Sequence, residues 1–160
     1  MNKAALIING HRLFLTRVWN ESKPLVLYIG LNPSTANSSK DDPTVKKLIK
    51  LTDFNGYGGF HLLNLFTLIT SKPKVLKETF ESKGLSEIIH YSAHTFFKDY
   101  YDQVECVIAM WGNLVPKQIQ FRPEEIKQQF PNLLCFDINK NGSPQHPLFI
   151  NSKTPYKKYT

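Results

Sequence analysis

At 160 residues and 41% hydrophobic content the chain suits one domain around one core, and no apolar run approaches the roughly 18 residues of a membrane span. A net charge of +7, from 20 Lys and Arg against 13 Asp and Glu, favours an anionic partner, nucleic acid first, although the basic residues are spread along the chain. Cys106 and Cys135 both lie in apolar, strand-like runs, which argues against a disulfide scaffold or a Cys-based zinc site and for a reducing, cytoplasmic setting.

Ala5 to Ile8 is a short apolar run with no signal-peptide cleavage pattern around it. Asn9-Gly10 follows, a strong two-residue hairpin signal, and Arg12 to Trp19 alternates loosely and is rich in strand formers. Residues 4–19 are expected to form a β-hairpin at a sheet edge. After the polar turn Asn20 to Pro24, Leu25 to Ile29 reads as the first central strand. It ends abruptly in Gly30-Leu31-Asn32-Pro33-Ser34-Thr35, where glycine permits close backbone approach and proline fixes the turn.

Asp42-Pro43 starts a helix, with Asp42 as N-cap and Pro43 at the first helical position. Val45, Leu48, Ile49 and Thr52 share one face, and the helix stops near Asn55-Gly56. Phe60 to Leu65 is the second central strand, and its continuous apolar character fits a parallel strand covered on both faces. Asn64 is the polar exception. A buried amide without partners costs about 1–3 kcal/mol, so Asn64 either caps the next loop or faces a ligand. Residues 66–83 form a basic connection with helix potential from Lys74 to Phe80. Leu85 to Tyr100 is an amphipathic helix. His90 and His94 share a face of it, but no third ligand completes a metal site.

Val104 to Met110 is the third central strand, followed by Trp111-Gly112-Asn113. Residues 114–130 read as helix, restarted at Pro123, and Leu133 to Phe136 is the fourth strand. The turn-rich loop Asn139 to Gln145 delivers His146-Pro147-Leu148-Phe149. The C-terminus, with Tyr156 and Tyr159 among lysines, either docks on the domain or binds a partner. The pattern predicts a three-layer α/β/α fold over residues 1–160, with a central four-stranded, mainly parallel sheet and an N-terminal β-hairpin. Neither a cofactor nor a metal is expected.

Each central strand feeds a polar position at or near its carboxyl end: Asn32, then Asn64, then Trp111-Gly112-Asn113, then His146 after a loop. In a parallel sheet these positions share one rim, where ligands of open α/β sheets bind. Two carboxamides, an imidazole and an indole on one rim suit a planar, hydrogen-bonding ligand. Asp41 and Asp42 stand close by. Asp42 is expected to cap the helix, and Asp41 either activates water, binds a cation or is a solvated loop carboxylate.

The order and spacing of these residues resemble the uracil-DNA glycosylase superfamily. Gly30-Leu31-Asn32-Pro33 is similar to its G-x-[DN]-P motif, in the Asn form of the mismatch-specific branch. His61 to Leu68 resembles the strand whose Asn reads the base edge, Val107 to Gly112 the strand ending in Trp-Gly, and His146-Pro147 the H-P-S motif. Gly30 to Ala36, Asp41 to Thr44, Asn64-Leu65-Phe66, Trp111-Gly112 and Gly142 to Leu148 also look like the signature of the uncharacterised "domain of unknown function 1643" family. That resemblance covers nearly the whole chain and carries no reaction with it.

The glycosylase resemblance implies hydrolysis of an N-glycosidic bond, with Asn32 and His146 catalytic. Asn32 would orient water without acting as base, since an amide cannot take the proton. His146 would hydrogen-bond the departing base, and Asn64 would pair with its edge. Gly30, Pro33, Ser34, Thr35, Trp111, Gly112 and Pro147 would line the pocket, and Tyr57 or Phe60 would stack on the base. Two departures stand out: Ser34-Thr35 replace an aromatic residue and a His, and Leu148-Phe149 replace the Ser-Pro of the H-P motif. The alternative expectation is a nucleobase- or nucleotide-binding module, or a basic nucleic-acid binder, without chemistry.

Overall fold

Asn9 and Gly10 take φ of 48° and 81°, the pair of positive values that a tight hairpin turn requires. They join β1 (Asn2–Ile8) to β2 (His11–Val18) in an antiparallel pair with a register shift at Leu6/Ile7. In the computed structural model, which describes residues 1–159, the chain continues as β3 (Leu25–Gly30), α1 (Pro43–Phe54), β4 (Gly59–Asn64), α2 (Lys74–Lys83), α3 (Ala93–Tyr101), β5 (Cys106–Ala109), α4 (Phe121–Gln129), β6 (Leu134–Cys135) and β7 (Lys157–Lys158).

The fold is mixed α/β. Its four central strands, in the order β4-β3-β5-β6, are mutually parallel. The sheet is wider than expected. The hairpin lies at one edge of the sheet, as expected, with β2 antiparallel to β4, and an additional strand, β7, closes the far edge antiparallel to β6, giving seven strands in all. The C-terminus therefore docks on the domain. Asn55, just past α1, holds it there: its Nδ2 donates to the Thr154 carbonyl at 3.0 Å and its Oδ1 accepts from the Tyr156 N–H at 3.1 Å.

Helices cover both faces. Alternate residues of β3 separate into two cores, as period-2 side-chain geometry dictates. Val26 and Tyr28 pack with Val45, Leu48 and Leu51 of α1. Leu27 and Ile29 pack with Leu76 of α2, Phe97 of α3 and Ile126 of α4. Asp42 caps α1 as expected, its Oδ1 accepting from the Val45 N–H at 2.9 Å.

Two expected helices are shorter than their apolar patterns. The 85–100 stretch breaks into a 3₁₀ turn (Leu85–Glu87) and α3. Ile88, fully buried between them, offers its carbonyl to the N–H groups of Thr67 and Leu68 and so cannot serve a helix. The 114–130 stretch becomes helical only at Phe121, after Pro116 holds the backbone extended at ψ 143° and a 3₁₀ turn follows (Lys117–Ile119).

Candidate functional site

β3 is the strand where the chain reverses its direction of growth, with β4 added on one side and β5 on the other. The crevice beyond the carboxyl ends at such a switch point is the expected ligand site of an open α/β sheet. A cavity of about 280 Å³ opens there, walled by the ends of β3, β4 and β5 and by the loop carrying His146.

The walls are tied together by backbone hydrogen bonds beyond the sheet. Leu65 N–H reaches the Gly30 carbonyl at 2.8 Å, and Thr70 N–H the Pro33 carbonyl at 2.9 Å. The loops after β3 and β4 thus continue side by side. On the other flank Gly112 N–H reaches the Pro144 carbonyl at 2.9 Å, which brings the 139–147 loop, and His146 with it, to the end of β5.

Three polar side chains of the cavity have their orientation fixed by partners. Asn32 Nδ2 donates to the carbonyls of Thr70 and Pro33, at 2.6 and 3.0 Å. Asn64 Oδ1 accepts from Arg12 Nη2 at 3.0 Å. His146 Nδ1 accepts from the Leu148 N–H at 3.3 Å, which caps a 3₁₀ turn (Pro147–Phe149). Burial lowers the His146 pKa, with the charge of Asp42 opposing that shift. The imidazole is therefore neutral at pH 7, with its proton on Nε2.

Gly30 is paired with Asn64 across the parallel ladder. A Cβ at Gly30 would stand 2.8 Å from Asn64 Nδ2 and 3.2 Å from Met110 Cε. The absence of a side chain there is what gives the Asn64 amide its space.

Of the residues expected at the site, Gly30, Asn32, Ser34, Asn64, Trp111, Gly112 and His146 line this cavity. Trp111 is buried, edge-on to Tyr159, and offers a wall rather than an open stacking surface. Pro33 and Pro147 are buried beside the lining, and Thr35 is exposed outside it. Tyr57 lies at the amino end of β4, near Glu105, Cys106 and Tyr156, at the opposite end of the strands from the cavity. Phe60 is fully buried against Tyr28 and Trp19.

Asp41 is also outside the lining. Its oxygens accept from Lys3 Nζ at 2.8 Å and from Arg17 Nε at 2.7 Å. Burial raises its pKa, but these two partners outweigh it and hold the carboxyl below the ordinary range. Arg17, fully buried, also donates to the carbonyls of Thr16 and Asn37. The Asp41–Arg17 pair therefore organises the loop rather than facing a ligand. The carboxylate that does line the cavity is its neighbour Asp42, 8% exposed, which caps α1 at the same time.

Sequence reasoning did not single out Arg12. Its guanidinium is 3% exposed and lines the cavity; Nη1 donates to the Ala36 carbonyl at 3.2 Å, and Nε has no partner among the described residues. Burial lowers its pKa to about 10, with Asp42 opposing, so it stays charged at neutral pH. Arg12 reaches the rim because β2 runs antiparallel to β4, which puts the start of β2 beside the end of β4. An Arg two residues past an Asn-Gly turn was the available signal.

The mouth of the cavity carries exposed apolar side chains: Leu114, Leu148 and Phe149, the last 83% exposed. Groups of three or more His, Cys, Asp or Glu able to hold a metal are absent among the described residues, as are helices long and apolar enough to cross a membrane. No curated protein and no solved structure matches the chain. The family model described as "Protein of unknown function (DUF1643)" matches residues 12–148, from the cavity's arginine to its apolar rim, and the chain belongs to that family.

Proposed function

We propose that the cavity binds a nucleobase and that its side chains serve hydrolysis of an N-glycosidic bond, in the manner of the uracil-DNA glycosylase superfamily that its motifs resemble. The observation that carries this reading is the meeting of Asn32, Asn64 and His146 in one cavity at the sheet's switch point. In this reaction the bond from the sugar C1′ to the base nitrogen breaks, and a water oxygen bonds to C1′. The bonding electrons leave with the base. His146 Nε2–H donates to the oxygen on which that charge collects, and Asn64 Nδ2–H supports the same edge. Asn32 Oδ1 accepts from the attacking water. The water's proton passes to the Asp42 carboxylate, the acidic group on the cavity wall. Phe149 is the exposed aromatic in position to stack on a base, a contact worth about 1–3 kcal/mol. The target nucleotide must be single-stranded or flipped out of its stack.

The test is cleavage of single-stranded and mismatched uracil oligonucleotides, followed by alkali at abasic sites. Wild type should cleave, and His146→Ala should slow it by roughly 10²–10³-fold, the usual effect of losing one preorganised donor. No cleavage by wild type on any substrate overturns the glycosylase reading.

A second reading, binding of a free nucleobase or nucleoside without hydrolysis, is favoured by one observation. The buried Asp42 carboxylate on the cavity wall would repel a phosphate chain entering beside it. Salt separates the two. Affinity for a polyanion falls steeply as salt rises, and affinity for a neutral base stays flat.

A further inference from the structure

We infer that Asp42 holds a sugar: its open carboxylate oxygen accepts from the 2′- and 3′-hydroxyls of a ribose, so that the cavity takes ribonucleosides in preference to 2′-deoxyribonucleosides. The inference deepens the nucleobase reading and rests on it for the other half of the ligand.

The helix α1 joins β3 to β4, which are parallel neighbours, so it runs back along the sheet and its first turn stands at the rim where β3 ends. The strand ends, with Gly30 and Asn64, form the floor of the cavity, and α1 brings Asp42 and Thr44 to its side. Asp42 is 8% exposed and makes no ion pair among the described residues. Arg12, in the same cavity, donates instead to Ala36 and Asn64. One protein hydrogen bond reaches the carboxylate, from the Val45 N–H to Oδ1. Oδ2 has none among the described residues and is not sealed from solvent. The helix N-terminus offsets part of the charge. A carboxylate this buried is still costly to leave short of donors, and a ligand that brings donors to Oδ2 removes that penalty. The hydroxyls of Ser34 and Thr44, half-buried in the same cavity, also have no partner among the described residues.

The donors that suit this wall are hydroxyls. Asn64 and His146 already answer the flat edge of a base. A vicinal diol brings two donors to one carboxylate, and it tolerates the Ser34 and Thr44 hydroxyls, which can donate or accept. An acidic side chain on a ribose hydroxyl is also how dinucleotide-binding α/β sheets hold a sugar at their switch point. A 2′-deoxyribose brings one hydroxyl fewer and leaves a buried acceptor short of its partner, the usual source of discrimination at a polar site. Holding a sugar leaves Asp42 able to serve hydrolysis. An ionised carboxylate has about four acceptor sites. The Val45 N–H takes one and the diol two, which leaves one for the attacking water.

The test uses the full chain and calorimetric titration with uridine, 2′-deoxyuridine and uracil, and with adenosine, 2′-deoxyadenosine and adenine. In wild type the ribonucleoside of the series that binds should do so roughly tenfold or more tightly than its 2′-deoxy counterpart. Asp42→Asn and Asp42→Ser both keep an oxygen to cap α1 and remove the charge. In each variant the gap should shrink to within about threefold. Affinity for the free base, which does not reach Asp42, should stay as in wild type and so reports that the variants are folded. Equal binding of ribo- and deoxyribonucleoside by wild type, or a gap that persists in both variants, overturns the inference and leaves the nucleobase reading standing. If none of the six compounds binds wild type, the nucleobase reading falls and the inference falls with it.

Discussion

Gly30 shows how one residue serves fold and site at once. A methyl group there meets the Asn64 amide, which its bond to Arg12 holds in place, and Met110 Cε, which can swing away. Gly30→Ala should therefore cost about 1–3 kcal/mol, the usual range for overpacking, read as a shift in denaturant midpoint, together with loss of ligand binding. Asp42 carries two roles that substitution can part. Asp42→Asn keeps an oxygen for the Val45 N–H, whereas Asp42→Ala loses the cap. The alanine variant should be less stable than the asparagine variant by about 1 kcal/mol. Both lose the charge on the cavity wall, so both should fail equally in any hydrolysis that needs it. Most of the site was legible because each residue follows a strand that announces itself, and parallel strands put their carboxyl ends on one rim. Arg12 and Asp42 were harder to read for opposite reasons. Arg12 belongs to the rim only because an antiparallel strand starts there. Asp42 already had a sufficient local explanation as a cap, while Asp41, which had none, looked free and proved to be paired with Arg17.

At the scale of elements, the C-terminal segment is the piece that local pattern could not place. β7 is two residues long and pairs at the end of a sheet that the sequence does not otherwise mark as open. Its anchor is Asn55, the C-cap of α1, which bonds the Leu51 carbonyl and, on either side of Pro155, the Thr154 carbonyl and the Tyr156 N–H. Asn55→Ala should release this segment locally. The Tyr156 amide should exchange with solvent at least tenfold faster, while β3 amides keep wild-type protection, as expected for subglobal opening. Equal protection of Tyr156 in the variant would show that β7 and the tyrosine contacts suffice. The helices tell the same story from the other side. Apolar periodicity marks Leu85 to Tyr100 as one surface, and Ile88 and Phe97 are buried along it, but Leu85 is exposed, the Ile88 carbonyl is engaged by the loop after β4 and the helix divides there. Tertiary hydrogen bonding overrides a correct periodicity.

For the whole molecule, pH is the informative variable. Burial holds His61 down to about 4 and lowers His11 and His146 as well. All three titrate lower folded than unfolded, so between pH 6.5 and 4 the unfolded chain binds more protons. Stability is then full above about pH 6.5 and falls as pH drops toward 4, by up to roughly 3 kcal/mol from His61 alone. Denaturant midpoints across this window should show the loss, and His61→Gln should flatten the curve. Ligand binding should persist somewhat below the ordinary histidine pKa of 6.5 and fail once His146 takes a proton on Nδ1, which would break its bond from the Leu148 N–H. All of this turns on one claim: the rim cavity is where a nucleobase binds. The direct measurement is a titration of isotopically labelled protein with uracil, following the side-chain amides of Asn32 and Asn64 and the imidazole of His146. These three signals should move together along one saturating curve, with the lysines of α1 unaffected. Shifts confined to the basic surface, or none at the three side chains at saturating uracil, would contradict it.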